Sequence, residues 1–194
     1  MSHSSALDIR GEADYKTGRD LEGVLPYSTE FRDGHLWVGG VDMVNLAREV
    51  GTAVYVMDEN HIRKQLRDYT EWTQFHWKDV DVVFAGKAFM SLAMCKIVKE
   101  ENCCLDVSSG GELAFALRAG FPVENIYVHG NNKTEQELRE CIAAGVGHIV
   151  IDSFEEIERI SRIATDMGTT QNALIRVTPG VEADTHDFIK TGAE

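Results

Sequence analysis

No part of this 194-residue chain holds the run of about 20 apolar residues that a membrane-crossing helix needs, so the sequence offers no helical span. Basic charge is scarce: 19 lysines and arginines stand against 32 aspartates and glutamates, leaving a formal charge of −13. That balance repels a phosphate backbone, and no basic stripe interleaved with aromatics offsets it, which argues against nucleic acid as a partner. Cysteine is sparse too. Cys95, Cys103, Cys104 and Cys141 have neither C-x-x-C spacing nor the density of a disulfide scaffold. Cys103 and Cys104 are neighbours on an apparent strand, point to opposite faces and so do not serve one metal site; the cysteines read as packing residues and no metal is expected. The start, Met-Ser-His-Ser-Ser-Ala, lacks the charged and apolar regions of a secretory leader, and the expected compartment is the cytoplasm.

What the chain does have is enough apolar content for a core, 43% of residues, arranged with a clear rhythm. Residues 1–25 are polar, charged and aperiodic, and read as a mobile lead-in. His35-Leu36-Trp37-Val38 follows an Asp33-Gly34 turn signal, Ala53-Val54-Tyr55-Val56 is a second β-type run, and a helix is expected over 43–50. From residue 58 onward the pattern repeats: an apolar β-branched run, a polar turn, then an amphipathic stretch closed by glycine. The expected strands are 80–85, 104–107, 126–129, 148–151 and 173–177, spaced by roughly 22 to 25 residues, as in successive β/α units. Three helix starts carry an S/T-x-x-E capping box, at Ser109 and Glu112, Thr134 and Glu137, Ser153 and Glu156; the same helices should stop near Gly120, Gly145 and Gly168.

Apolar strands joined by helices call for a parallel sheet. A doubly wound sheet often shows a Gly-rich phosphate loop after its first strand, whereas here that strand ends Ala85-Gly86-Lys87-Ala88-Phe89. The fold class is therefore α/β, read as an incomplete (β/α)8 barrel of about five units where a closed one needs eight in about 250 residues, preceded by a short β segment. Barrel active sites lie at the C-terminal strand ends. The residues there are Lys87, Asp106 with Ser108 and Ser109, His129 with Asn131 and Asn132, Asp152, and Arg176 with Thr178. Lys87 sits between apolar residues, where desolvation would favour the neutral amine that attacks a carbonyl to form a Schiff base; the plain alternative is a lysine reaching into solvent. Arg176, on a strand expected to be buried, needs a carboxylate or cofactor-linked partner. Asp106 could instead accept backbone amides, His129 could be an interior histidine with satisfied bonds, and Glu112 already has a role in its cap.

Ala85-Gly86-Lys87-Ala88-Phe89 resembles the lysine motif of the pyridoxal-phosphate-dependent decarboxylases with an alanine-racemase-like barrel. Leu105-Asp106-Val107-Ser108-Ser109-Gly110-Gly111-Glu112-Leu113, His129-Gly130-Asn131-Asn132-Lys133, Arg176-Val177-Thr178-Pro179-Gly180-Val181 and Thr185-His186-Asp187-Phe188-Ile189-Lys190-Thr191-Gly192 resemble, in order, motifs of the diaminopimelate decarboxylase family. The resemblance implies pyridoxal 5′-phosphate as cofactor, Lys87 as the lysine that binds it, and Asp106, His129, Arg176 and, less directly, Glu112 as residues near it. It also implies decarboxylation of meso-diaminopimelate to L-lysine. On that reading residues 1–57 pack with a C-terminal β domain, residues 58–194 are a partial barrel, and the complete enzyme is a homodimer. The family's phosphate site, ring-nitrogen partner and stacked histidine have no candidate after Arg176, so the chain is expected to be a fragment. Two alternatives stay open: a relative acting on arginine or ornithine, and a non-enzymatic truncated barrel. The run from His129 to Lys133 favours the diaminopimelate branch.

Overall fold

Asp33 and Gly34, with φ of 51° and 76°, close a two-residue hairpin between β1 (Glu30–Arg32) and β2 (His35–Val38). In the computed structural model, which describes residues 24–178, β2 also pairs antiparallel with β3 (Val41–Asp42). Gly39 and Gly40 make that second turn at φ of 57° and 80°, a conformation that costs glycine nothing. Helix α1 (Met43–Val50) begins at Asp42, whose carboxylate accepts from the Val44 and Asn45 amides at 2.8 and 3.3 Å. The same carboxylate meets His35 Nδ1 at 2.8 Å; that bond, helped by the two amides against the opposing effect of burial, holds Asp42 below the ordinary carboxylate range. Helix α2 (Glu59–His76) is capped in the same way by Asp58, which takes the Asn60 and His61 amides and the Ser28 hydroxyl.

The chain divides into two units between Tyr69 and Thr70, inside α2. In the first, residues 53–56 do not form the strand expected of them. Their backbone has no neighbour in the sheet order β1-β2-β3, and Tyr55 is 97% exposed. Strand-forming side chains do not make a strand unless another strand takes up the amides.

The second unit is a parallel sheet of five strands, β4 (Val83–Ala85), β5 (Cys104–Val107), β6 (Ile126–Val128), β7 (His148–Ile151) and β8 (Ala173–Ile175). Helices α3 (Leu92–Glu100), α4 (Gly110–Arg118), α5 (Glu135–Ala144) and α6 (Phe154–Asp166) alternate with them, each packing on the next. Strand order follows chain order throughout. A doubly wound sheet reverses at a switch point and this one does not, so it is the arc of a barrel wall, as the sequence led us to expect. Leu105, Ile126 and Ile149 are fully buried on the helix side with Val98, Leu113, Ala116, Leu138 and Ile163. This layer is the core.

The helix starts fall where expected, but their chemistry differs from a uniform capping box. Ser109, Thr134 and Ser153 each accept the amide three residues on. Only Glu137 reciprocates, taking the Thr134 amide at 3.0 Å. Glu112 and Glu156 reach one residue further back, to the amides of Ser108 at 2.6 Å and Asp152 at 2.9 Å. The backbones explain the difference: Ser109 and Ser153 are extended at φ of −155° and −146°, Thr134 is at −70°, and a different amide faces the carboxylate. The helices end at Gly120, Gly145 and Gly168, all at positive φ. The four cysteines are free and buried, and burial raises every thiol, Cys104 and Cys141 to about 11, which suits the packing role. The trailing motif of residues 185–192 and the lead-in before residue 24 lie outside the described residues.

Candidate active site

Ala85, Asp106, Tyr127 and His148 stand in register across β4 to β7, on the sheet face opposite the helices. Because strand side chains alternate, the positions two and four residues on share that face. His129 follows Tyr127, Asp152 follows His148, and Arg176 follows Leu174, which is in register with Val150. The residues expected at the strand ends therefore share one rim, at the C-terminal edge of the arc.

Lys87 lies just past β4, in a single 3₁₀ turn (Gly86–Ala88). Gly86 makes that turn possible. A Cβ there would come within 2.5 Å of the Asp106 carbonyl oxygen and would collide with Met90 Cε, so only glycine lets the chain leave β4 pressed against β5. The expected apolar enclosure of Lys87 is not found: its side chain is exposed, because the turn carries it beyond the strand and past Phe84 and Ala85. Among the described residues its ammonium has no hydrogen-bond or ion-pair partner.

Asp106 is the opposite case. Its Oδ1 is buried with no partner among the described residues. Burial, first, and then the nearby charge of Glu112 raise its carboxyl above the ordinary range, while His129 and Lys87 pull it back. Glu112 is fixed by the Ser108 amide and by the Ser108 hydroxyl at 3.0 Å. Lys87, Asp106, Glu112 and His129 thus form one electrostatic group. A carboxyl raised in the folded state adds stability that is fully present below its unfolded range and is lost as pH rises through the folded one. Asp106→Asn should therefore raise the melting temperature at pH 7, and the gain should shrink as pH falls through the raised folded range and be gone below about 4, the unfolded range. Thermal scans from pH 3.5 to 7 test this, and an equal shift at every pH would contradict it.

Arg176 joins Asp152 rather than this group, donating from Nη1 to Oδ1 at 2.8 Å. The expected partner carboxylate is found; the expected burial is not. β8 pairs only with β7 among the described residues, and the Arg176 side chain remains 46% exposed. A buried pair broken on one side costs about 3–5 kcal/mol, an exposed one about 1 kcal/mol or less. Arg176→Ala should accordingly shift the urea midpoint only slightly, and a loss above about 3 kcal/mol would show that the pair is enclosed.

Some polar residues on the rim and behind it escaped the sequence reading. Tyr127 stacks on His148 with ring centroids 4.7 Å apart and donates to Asp81 at 3.0 Å. Its hydroxyl is raised to about 12, by burial first and then by Asp81. His148 Nδ1 is buried without a partner among the described residues. The available signal was a polar residue inside each of two strands expected to be wholly apolar. Behind the rim, Lys133 and Glu156 form a buried ion pair at 3.0 Å.

A lysine near a half-buried carboxylate, neither with a hydrogen-bond partner among the described residues, on the inner rim of a barrel wall, fits a carbonyl-bearing cofactor held through an amine. That defines the class. The chain belongs to the pyridoxal-dependent decarboxylase family: the family model described as "Pyridoxal-dependent decarboxylase, pyridoxal binding domain" matches residues 59–194. It is 45% identical over 161 residues to a diaminopimelate decarboxylase of Bacillus methanolicus and 44% identical over 167 residues to that of Bacillus subtilis, covering 83% and 86% of this chain. It spans 37% and 38% of those two relatives' lengths. The crystal structure of diaminopimelate decarboxylase from M. jannaschii in co-complex with L-lysine superposes with a TM-score of 0.74 at 31% identity, over 84% of this chain and 39% of that one. No described helix is long and apolar enough to cross a membrane.

Proposed function

We propose that this chain forms the pyridoxal-carrying part of an enzyme that decarboxylates meso-diaminopimelate to L-lysine, and that Lys87 is the residue holding the cofactor. The observation that carries the proposal is that Lys87 stands near enough for its charge to act on Asp106, that neither has a hydrogen-bond partner among the described residues, and that the Gly86 turn is packed on the Asp106 carbonyl. When bound, pyridoxal phosphate supplies the electron sink for the pair released as CO₂ leaves. The chain's own residues do the rest. Lys87 would anchor the group covalently. Asp106, held above the ordinary carboxylate range by burial first and then by Glu112, would serve as a proton-bearing group facing the cofactor, with His129 on the same rim. Arg176, steadied by Asp152, supplies a fixed cation for an anionic oxygen.

The substrate assignment draws support from curated relatives that carry the diaminopimelate decarboxylase name at 44–45% identity. The arginine and ornithine alternative has no comparable support. Free, buried cysteines suit the cytoplasm, and we take the complete enzyme to be a homodimer in which residues 1–57 pack with a C-terminal β domain. A chimera in which this chain replaces the matching segment of the Bacillus methanolicus enzyme tests the activity. Release of CO₂ from meso-diaminopimelate, dependent on added pyridoxal phosphate, is expected; a folded chimera that binds pyridoxal phosphate and releases none would oppose the proposal.

A further inference from the structure

Lys133 and Glu156 are 4% and 3% exposed, and their charges meet at 3.0 Å. Two buried charges are costly to desolvate, and an apolar pair of equal volume is often as stable or more so. Stability alone therefore gives little reason for the pair. Its connections give another.

The Lys133 ammonium also donates to the carbonyl of Gly130, the residue after His129. On its other side Gly130 packs against the chain just past the end of β5, where a Cβ would lie 3.4 Å from the Ser108 carbonyl oxygen. The loop leaving β6 is thus held between that chain and Lys133. Glu156 Oε2, which takes the Lys133 charge, also accepts the Asp152 amide at 2.9 Å. Asp152 in turn holds Arg176 at 2.8 Å. Arg159 closes the arrangement from α6, donating to the Lys133 carbonyl at 2.8 Å. One carboxylate oxygen therefore ties the loop that carries His129 to the loop that carries Asp152 and, through it, Arg176. Among the described residues no backbone hydrogen bond joins these two loops; beyond the strand ladder, the Gly147 amide donates to the Val123 carbonyl at 2.9 Å, but at the opposite ends of the strands, so at the rim the link rests on side chains.

We propose that Lys133 and Glu156 are positioning residues, whose buried ion pair sets His129 and the Asp152–Arg176 pair at a common level so that both address one ligand at the rim. The role of that ligand rests on the pyridoxal reading above; the coupling of the two loops does not.

The experiment uses the 194-residue chain and the double variant Lys133→Met/Glu156→Leu, which removes both charges and strands neither, with Glu156→Gln as the milder change, since it keeps both acceptor bonds. Circular dichroism and urea denaturation report the fold. Nitrogen-edited NMR reports the Arg176 Nε–H and Asp152 amide signals, and absorbance titration reports the affinity for pyridoxal phosphate. The double variant should fold with a midpoint close to the parent, yet lose protection at Arg176 and Asp152 and bind pyridoxal phosphate about tenfold more weakly or worse, with Glu156→Gln in between. A purely structural pair would move the midpoint and leave the Arg176 signal and the affinity alone in the folded fraction. Unchanged signals and affinity in a folded double variant overturn the proposal. If the double variant does not fold, Glu156→Gln decides: parental values overturn the proposal and intermediate ones support it. If the parent takes up no pyridoxal phosphate while the NMR signals still shift in the variants, the cofactor reading falls and the coupling of the loops stands.

Discussion

Lys87→Ala, in the Bacillus methanolicus chimera, is expected to lower kcat/KM for meso-diaminopimelate by about 10⁴-fold or more, a barrier increase of about 5.4 kcal/mol at 1.36 kcal/mol per decade. The fold should not notice. Lys87 is exposed and has no hydrogen-bond or ion-pair partner among the described residues, so removing its side chain breaks no such bond and takes away only the smallest of the influences on Asp106. What it removes is the amine at the end of β4, next to the Gly86 turn, and with it the proposed attachment on which the electron sink depends. Denaturation midpoints of parent and variant should agree within error. If Lys87 merely reaches into solvent, activity will survive the substitution.

The second large effect concerns substrate choice. The chimera should prefer meso-diaminopimelate over L-ornithine and L-arginine by about 10³-fold or more in kcat/KM. Diaminopimelate carries a second amino-acid head group at its far end, ornithine only an amine. A site built to satisfy that second head group leaves its own polar groups unpaired when the group is missing, which discriminates far more strongly than a difference in chain length. Rates measured for the three substrates under identical conditions decide the matter. Comparable values for ornithine or arginine would move the chain to the other branch of its family.

The architecture was readable because its signals are local. An Asp-Gly turn, three capping hydroxyls and three closing glycines each act within a few residues, and the helix over Met43–Val50 needs only Asp42 to start it. The absence of a Gly-rich loop after β4 pointed to a barrel, and the sequential strand order agrees. Where the reading failed, a partner elsewhere in the chain decided the outcome. Residues 53–56 have strand-forming side chains and no strand to pair with. Arg176 has the expected carboxylate in Asp152 but not the expected cover, since β8 is an edge among the described residues. Lys87 was placed at the correct strand end, yet its exposure depends on how closely Gly86 approaches Asp106, a tertiary contact that no local pattern reports.

The rim shows the same division. Lys87, Asp106 and His129 stood out because each ends an apolar run. Tyr127 and His148 did not, because each lies within such a run, and only the register across β6 and β7 brings their rings together. Lys133 looks like a surface cation after two asparagines, and Glu156 like an ordinary third residue of a capped helix. Their burial against each other comes from packing the loop after β6 onto α6, which neither segment encodes alone.

The central claim is that Lys87 holds the cofactor. The most direct measurement incubates the 194-residue chain with pyridoxal phosphate, reduces it with borohydride and maps the modified peptides by mass spectrometry, with Lys87→Ala as control. The account predicts a pyridoxyl mass on the peptide containing Lys87 at low cofactor concentration and its loss in the control. Labelling confined to another lysine, or spread evenly over the exposed lysines and unchanged elsewhere in Lys87→Ala, would contradict it.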